Sequence, residues 1–140
     1  MENKKADNKI YETKNKIAIV DDQISLYNDK LKNIDYSEET FNSLRKSIDK
    51  CSKLLNKAVK SKRTERITSS MEENNQIYFS RVRSSCEDER NRVKKQINDA
   101  NIEKDKLNEK LKEIIKSQEN TEKETQKDDV GSDLDEDNIN

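Results

Sequence analysis

The side chains that could do chemistry are few and poorly spaced for it. The 140-residue chain has no His and only two Cys. Without His it lacks the commonest general base, the usual activator of a Ser or Cys nucleophile, and a frequent zinc ligand. Cys51 and Cys86 are too far apart in sequence for a metal-binding motif. Carboxylates abound, so a run such as Glu87-Asp88-Glu89 carries no catalytic information and reads as solvated helix face. Asp133, Asp135 and Asp137 alternate as in a calcium loop, but the central Gly and closing Glu of an EF-hand are missing. The sole Gly, Gly131, builds no phosphate-cradling motif. The expectation is a non-enzymatic protein with no catalytic residue, cofactor, metal or small-molecule substrate.

Two other groups bear on binding. Lys57, Lys60, Lys62, Arg63 and Arg66 cluster, and Arg81, Arg83, Arg90, Arg92, Lys94 and Lys95 follow. Such a cluster can meet phosphate. Acids are interspersed and aromatics for base stacking are scarce, which makes nucleic acid a minor reading. Tyr78-Phe79 is the only adjacent aromatic pair. It reads either as core or as an anchor for a protein partner.

The elements that must position these residues follow from composition. Charged residues make up 42% of the chain and hydrophobic ones 29%, yet the net charge is only −1. A compact globule needs more apolar surface. Balanced charges on extended helices with a narrow apolar stripe fit better than disorder, which favours high net charge. Pro is absent and Gly occurs once, so long unbroken helices are permitted.

The first apolar stripe joins Ile10, Ile17, Val20, Ile24, Tyr27, Leu31 and Ile34. From Ile17 its steps alternate three and four, the seam of a coiled coil. A second stripe, Phe41, Leu44, Ile48, Cys51, Leu55 and Ala58, does not continue that phase. Ser37 with Glu38 and Glu39 could cap a new helix between them, which predicts a kink or break. The alternative is one helix with local over- or underwinding. From Lys60 to Thr68 the pattern lapses, and Ser69-x-x-Glu72 and Ser70-x-x-Glu73 are candidate capping boxes. The third stripe repeats Phe79, Cys86, Val93, Ala100, Leu107 and Ile114 every seven residues, with Val82, Ile97 and Leu111 as companions.

These stripes predict an all-α fold: a long antiparallel helical hairpin over residues 8–116. Its arms are about 8–60 and 70–116, with the turn near 61–69. Laid together with facing positions adding to about 137 or 138, Leu55 meets Val82, Leu44 meets Val93 and Leu31 meets Leu107. Cys51 meets Cys86 in that register, as two small buried hydrophobes or, less commonly for cytosolic synthesis, a disulfide. Residues 117–140 carry nine acids against two bases and read as a disordered acidic tail. A hairpin alone leaves the back of its stripe uncovered, so a further helix is expected, from a second copy or another protein. The first 16 residues are hydrophilic, and Ile17-Ala18-Ile19-Val20 is too short for a signal core or membrane span. A cytoplasmic protein is expected, with any export alongside a partner.

The pattern Ile17 to Leu31, IAIVDDQISLYNDKL, followed by a polar middle and a long charged helix over Tyr78–Ile115, resembles a known family. It is that of the small YwqH-like helical proteins that accompany LXG toxins in type VII secretion. The resemblance covers roughly residues 8–116 and is one of pattern and length. It implies binding to the helical N-terminal domain of a toxin and a role in presenting it for export. The Trp-x-Gly turn and the Tyr-x-x-x-Asp/Glu signal of the wider group are absent. The expected function is therefore a partner or targeting chaperone of a secreted effector. The alternative is a self-assembling coiled-coil adaptor or scaffold. Candidate seam and partner-binding residues are Ile17, Val20, Ile24, Tyr27, Leu31, Ile34, Phe41, Leu44, Ile48, Leu55, Tyr78, Phe79, Val82, Val93, Ile97, Leu107, Leu111 and Ile114.

Overall fold

A computed structural model describes the backbone of residues 2–139 and the side chains of residues 4–125. The chain forms two long helices, α1 (Glu2–Ala58) and α2 (Lys62–Ile139), packed as a hairpin with no strand among the described residues. Contacts divide it into a turn-bearing unit, Ser25–Asn98, and a terminal unit joining Met1–Ile24 to Asp99–Asn140.

The turn is shorter and earlier than the sequence suggests. Only residues 59–61 lie between the helices. The Val59 N–H donates to the Leu55 carbonyl at 2.9 Å, completing the last turn of α1. Ser61 caps α2: its Oγ accepts the Thr64 N–H at 3.1 Å and lies 2.8 Å from Thr64 Oγ1. This satisfies one of the N–H groups that a helix start leaves without an intrahelical partner. Ser69 and Ser70, the expected caps, lie inside α2. No described residue has positive φ, so this connection needs no glycine. A chain poor in Gly and Pro keeps its helical hydrogen bonds for as long as it can, which favours the shortest turn.

Helix α1 does not break at Ser37. Its less exposed positions keep one phase without a jump: Leu31, Ile34, Glu38, Phe41, Arg45, Ile48 and Ser52. The expected change of phase therefore belongs to the apolar residues and not to the helix. Beyond Ile34 the seam keeps its three-four steps and takes in polar side chains, while Leu44, Cys51 and Leu55 face solvent.

The pairing register is also corrected. In the turn-bearing unit Ser52 Oγ donates to Glu72 at 3.2 Å, Thr68 Oγ1 to Asn56 at 2.9 Å, and Asn75 Nδ2 to Asp49 at 3.3 Å. In the terminal unit Lys104 pairs with Asp21 at 2.6 Å and Gln118 Nε2 donates to Asp7 at 2.9 Å. The paired numbers add to 124 or 125. The expected total is larger by about two heptads. A seam that repeats every seven residues looks the same after such a slip, so apolar matching alone cannot tell the two apart.

Among the described residues the buried apolar side chains are few: Val20, Phe79, Val93 and Ala100. Phe79 packs edge-to-face against Phe41, with centroids 6.2 Å apart. Helical geometry continues through residues 117–125, where the Thr121 and Thr125 hydroxyls donate to the Ser117 and Thr121 carbonyls at 2.9 Å. The expected acidic tail otherwise falls on side chains outside the described residues.

Candidate interaction surface

The predicted seam residues separate into two groups. Ile17, Val20, Ile24, Tyr27, Leu31, Ile34, Phe41 and Ile48 on α1 are buried or half-buried, as are Phe79, Val82, Val93, Ile97, Leu107, Leu111 and Ile114 on α2. Leu44, Leu55 and Tyr78 are not: they are 49%, 41% and 56% exposed. The Cys51–Cys86 pairing is overturned. Both thiols are free, Cys51 is exposed, and the observed register sets the two about 20 Å apart along the helices.

One flank of the turn-bearing unit is closed by polar ties. Arg90 donates from Nη2 to Asp35 at 3.0 Å and from Nε at 3.2 Å, and its Nη2 also meets Glu38. These hydrogen bonds, to Glu38 first and then to Asp35, raise the guanidinium pKa above its ordinary value. Arg90 is therefore a fixed positive charge at any usable pH. Replacing it with Met is expected to lower the melting temperature by a few degrees at low salt, read by circular dichroism. About 1 M salt should erase most of the difference, because its screening length is only ~3 Å. A deficit that persists at high salt would mean that Arg90 acts by packing.

The opposite flank is apolar. Asp35 and Arg90 each lie four residues after a seam repeat position, Leu31 and Cys86. Leu44, Cys51, Met71 and Tyr78 each lie one residue before such a position, about a quarter turn the other way. Antiparallel packing puts the latter set of both helices on one side. Leu54, Leu55 and Ile67 neighbour them, and Leu54 and Ile67 are 56% and 50% exposed. Beneath this flank the interior is polar: Ser52 and Thr68 are each 1% exposed and Asn75 is 7%. Each is hydrogen-bonded, and no buried side-chain polar atom among the described residues lacks a partner. Towards the turn, then, the usual arrangement is inverted, with hydroxyls and amides between the helices and leucines outside. The sequence does not flag this polar seam, because Ser52, Asn56 and Thr68 look like surface residues; their phase with Ile34 and Phe41 is the available signal.

Tyr78 answers the question posed by the aromatic pair. Phe79 is core, and Tyr78 leans on it edge-to-face at 5.8 Å while staying exposed. The basic residues split as well. Arg45, Arg81 and Arg83 line a shallow groove with Gln76 and Ser80, and Lys62 and Arg66 line another with Glu65 and Glu73. Among the described residues no group of His, Cys, Asp or Glu is placed to hold a metal ion, and no helix is long and apolar enough to cross a membrane. No protein-family model, curated protein or solved structure matches the chain.

Proposed function

We propose that this chain is a non-enzymatic helical interaction protein whose apolar flank near the turn receives helices of a protein partner. The observation that carries this reading is the inverted polarity of residues 44–78: large apolar side chains outside, hydrogen-bonded polar ones within. Apolar side chains left in water over two adjacent helices are the usual footprint of a missing partner. The finer reading is a partner or targeting chaperone for a secreted toxin or effector of a type VII-like system. It rests on the resemblance of residues 17–31 and 78–115 to the partners of LXG toxins. In that reading the protein works in the cytoplasm and is exported, if at all, with its client.

The second reading is a self-assembling coiled-coil adaptor, favoured by the same uncovered flank. Nucleic-acid binding is weaker, since the groove that holds Lys62 and Arg66 also holds Glu65 and Glu73, and Asp49 lines a neighbouring groove with Arg45 and Arg83. A tagged pull-down from the native organism, run beside Tyr78→Glu, tests these readings. One large protein with a long helical N-terminal region, recovered by the wild type and lost in the variant, is the result expected of a secretion partner. Recovery of the chain alone moves the assignment to the adaptor. Salt-sensitive retention of nucleic acid by both forms would overturn both protein-binding readings.

A further inference from the structure

The ion-paired layer at Arg90 has a counterpart one heptad nearer the turn, and the counterpart lacks its anions. Moving seven residues towards the turn takes Arg90 to Arg83 on α2, and Asp35 to Asn42 and Glu38 to Arg45 on α1. A seam that repeats every seven residues brings these three together as it does the others. Asn42, Arg45 and Arg83 do line one groove, with Lys46 and Asp49. Arg45 and Arg83 line a second groove as well, beside Arg81. Where Arg90 meets two carboxylates, Arg83 has an amide and another guanidinium for neighbours.

Arg45, Lys46, Arg81 and Arg83 make no ion pair among the described residues. Arg45 is half-buried, and a guanidinium stays charged at any usable pH. Two of them lining the same groove repel, the more so where water is partly excluded. The one carboxylate in the groove, Asp49, accepts the Asn75 amide at 3.3 Å.

The shape of the charge selects its ligand. On α1 the positive stretch is bounded by Glu38 before Arg45 and by Asp49 after it, a span of about 16 Å. A nucleic-acid backbone gains its affinity from successive phosphates along a longer basic track. Carboxylates one helical turn apart suit a shorter one, and the chain supplies that pattern to Arg90 through Asp35 and Glu38. In the Arg83 layer α1 offers no such pair, so the carboxylates have to come from another helix.

We infer that the Arg45–Arg83 layer is a docking site for an acidic helix of a protein partner, whose carboxylates one turn apart supply the counter-ions this layer lacks. The inference rests on the reading of the chain as a helical interaction protein and names a chemistry its partner carries.

The test uses the full chain and a labelled alanine-based helical peptide with glutamates three residues apart. Binding is followed by fluorescence anisotropy at about 20 mM salt, where exposed charges are little screened. Arg83→Gln is expected to weaken binding about tenfold. Arg45→Glu places the missing carboxylate within the chain. It is expected to abolish binding and, by pairing with Arg83 as Glu38 pairs with Arg90, to raise the melting temperature by a few degrees. Lys60→Glu makes the same change of net charge at the turn and should leave both readings almost unchanged. An Arg45→Glu chain that melts below the wild type would overturn the layer, and Arg83→Gln tests the site without it. Equal loss of binding in Lys60→Glu would reduce the attraction to overall charge and overturn the site. Single-stranded DNA bound more tightly than the peptide, through the same two arginines, would replace the acidic helix with a phosphate backbone. Absence of peptide binding at about 1 mM would also overturn the site. If Arg45→Glu still captured the large helical client in the pull-down, the protein-binding reading would stand and only this docking site would be wrong.

Discussion

Val93→Asp is expected to leave the hairpin largely unfolded at room temperature, seen as loss of helical circular dichroism and of any cooperative melt. Val93 is 1% exposed, the most enclosed apolar side chain among the described residues. It stands in the middle of the seven-residue repeat that runs from Phe79 through Ile114. A carboxylate there meets neither water nor a cation in its own layer, because the register brings Leu31 level with it. Burying an unpaired charge costs several kcal/mol, about the whole stability of a small domain. Leu44→Asp is the control. The register expected from the sequence makes Leu44 the partner of Val93, so in it both changes would be equally damaging. In the observed register Leu44 is exposed, and its replacement should leave the fold intact. Equal damage from the two substitutions would restore the slipped register.

Phe79→Ala carries the next largest effect, a loss of about 3 kcal/mol in denaturant titration. Phe79 is 6% exposed and is the one aromatic side chain buried among the described residues. Its ring holds Phe41 across the helix pair and Tyr78 along its own helix. Truncation removes the transfer energy of the ring and leaves a cavity between the two packed helices. Edge-to-face contact adds up to about 1 kcal/mol, which a double-mutant cycle with Phe41→Ala would isolate. Additive losses would mean that the rings are only neighbours. Because Tyr78 rests on Phe79, the variant should also weaken whatever docks on the apolar flank, while Tyr78→Glu weakens docking and costs stability no more than its own ring contact, about 1 kcal/mol.

The fold class is legible in the sequence because its causes are local and repetitive. A three-four stripe from Ile17 to Ile34, a seven-residue repeat from Phe79 to Ile114, and the near absence of Gly and Pro leave little but long helices. The paired charges are legible only as composition. Nothing in the sequence singles out Asp35 and Glu38 as the partners of Arg90, since those contacts join residues more than fifty positions apart.

The candidate surface is less legible, and for a definite reason. An apolar stripe reads as an inward face. Between Phe41 and Ala58 the apolar residues move a quarter turn around α1, and a sequence reading follows them and shifts the helix phase. The helix has no breaker that would let it turn, so it keeps its phase and the leucines go outside. Polar residues then fill the interior and find partners across the pair, as Ser52 does with Glu72 and Asn56 with Thr68.

Sequence alone determined that this chain makes two long helices with a seam, because periodicity and helix propensity act within a few residues of one another. Tertiary structure decided which of two equivalent registers is used, where the turn closes, and which leucines face water. Those choices depend on the Ser61 cap, the hydrogen bonds beside it and the contact of Phe41 with Phe79. Most of these join residues distant in sequence, and a pattern that repeats every seven positions cannot encode them.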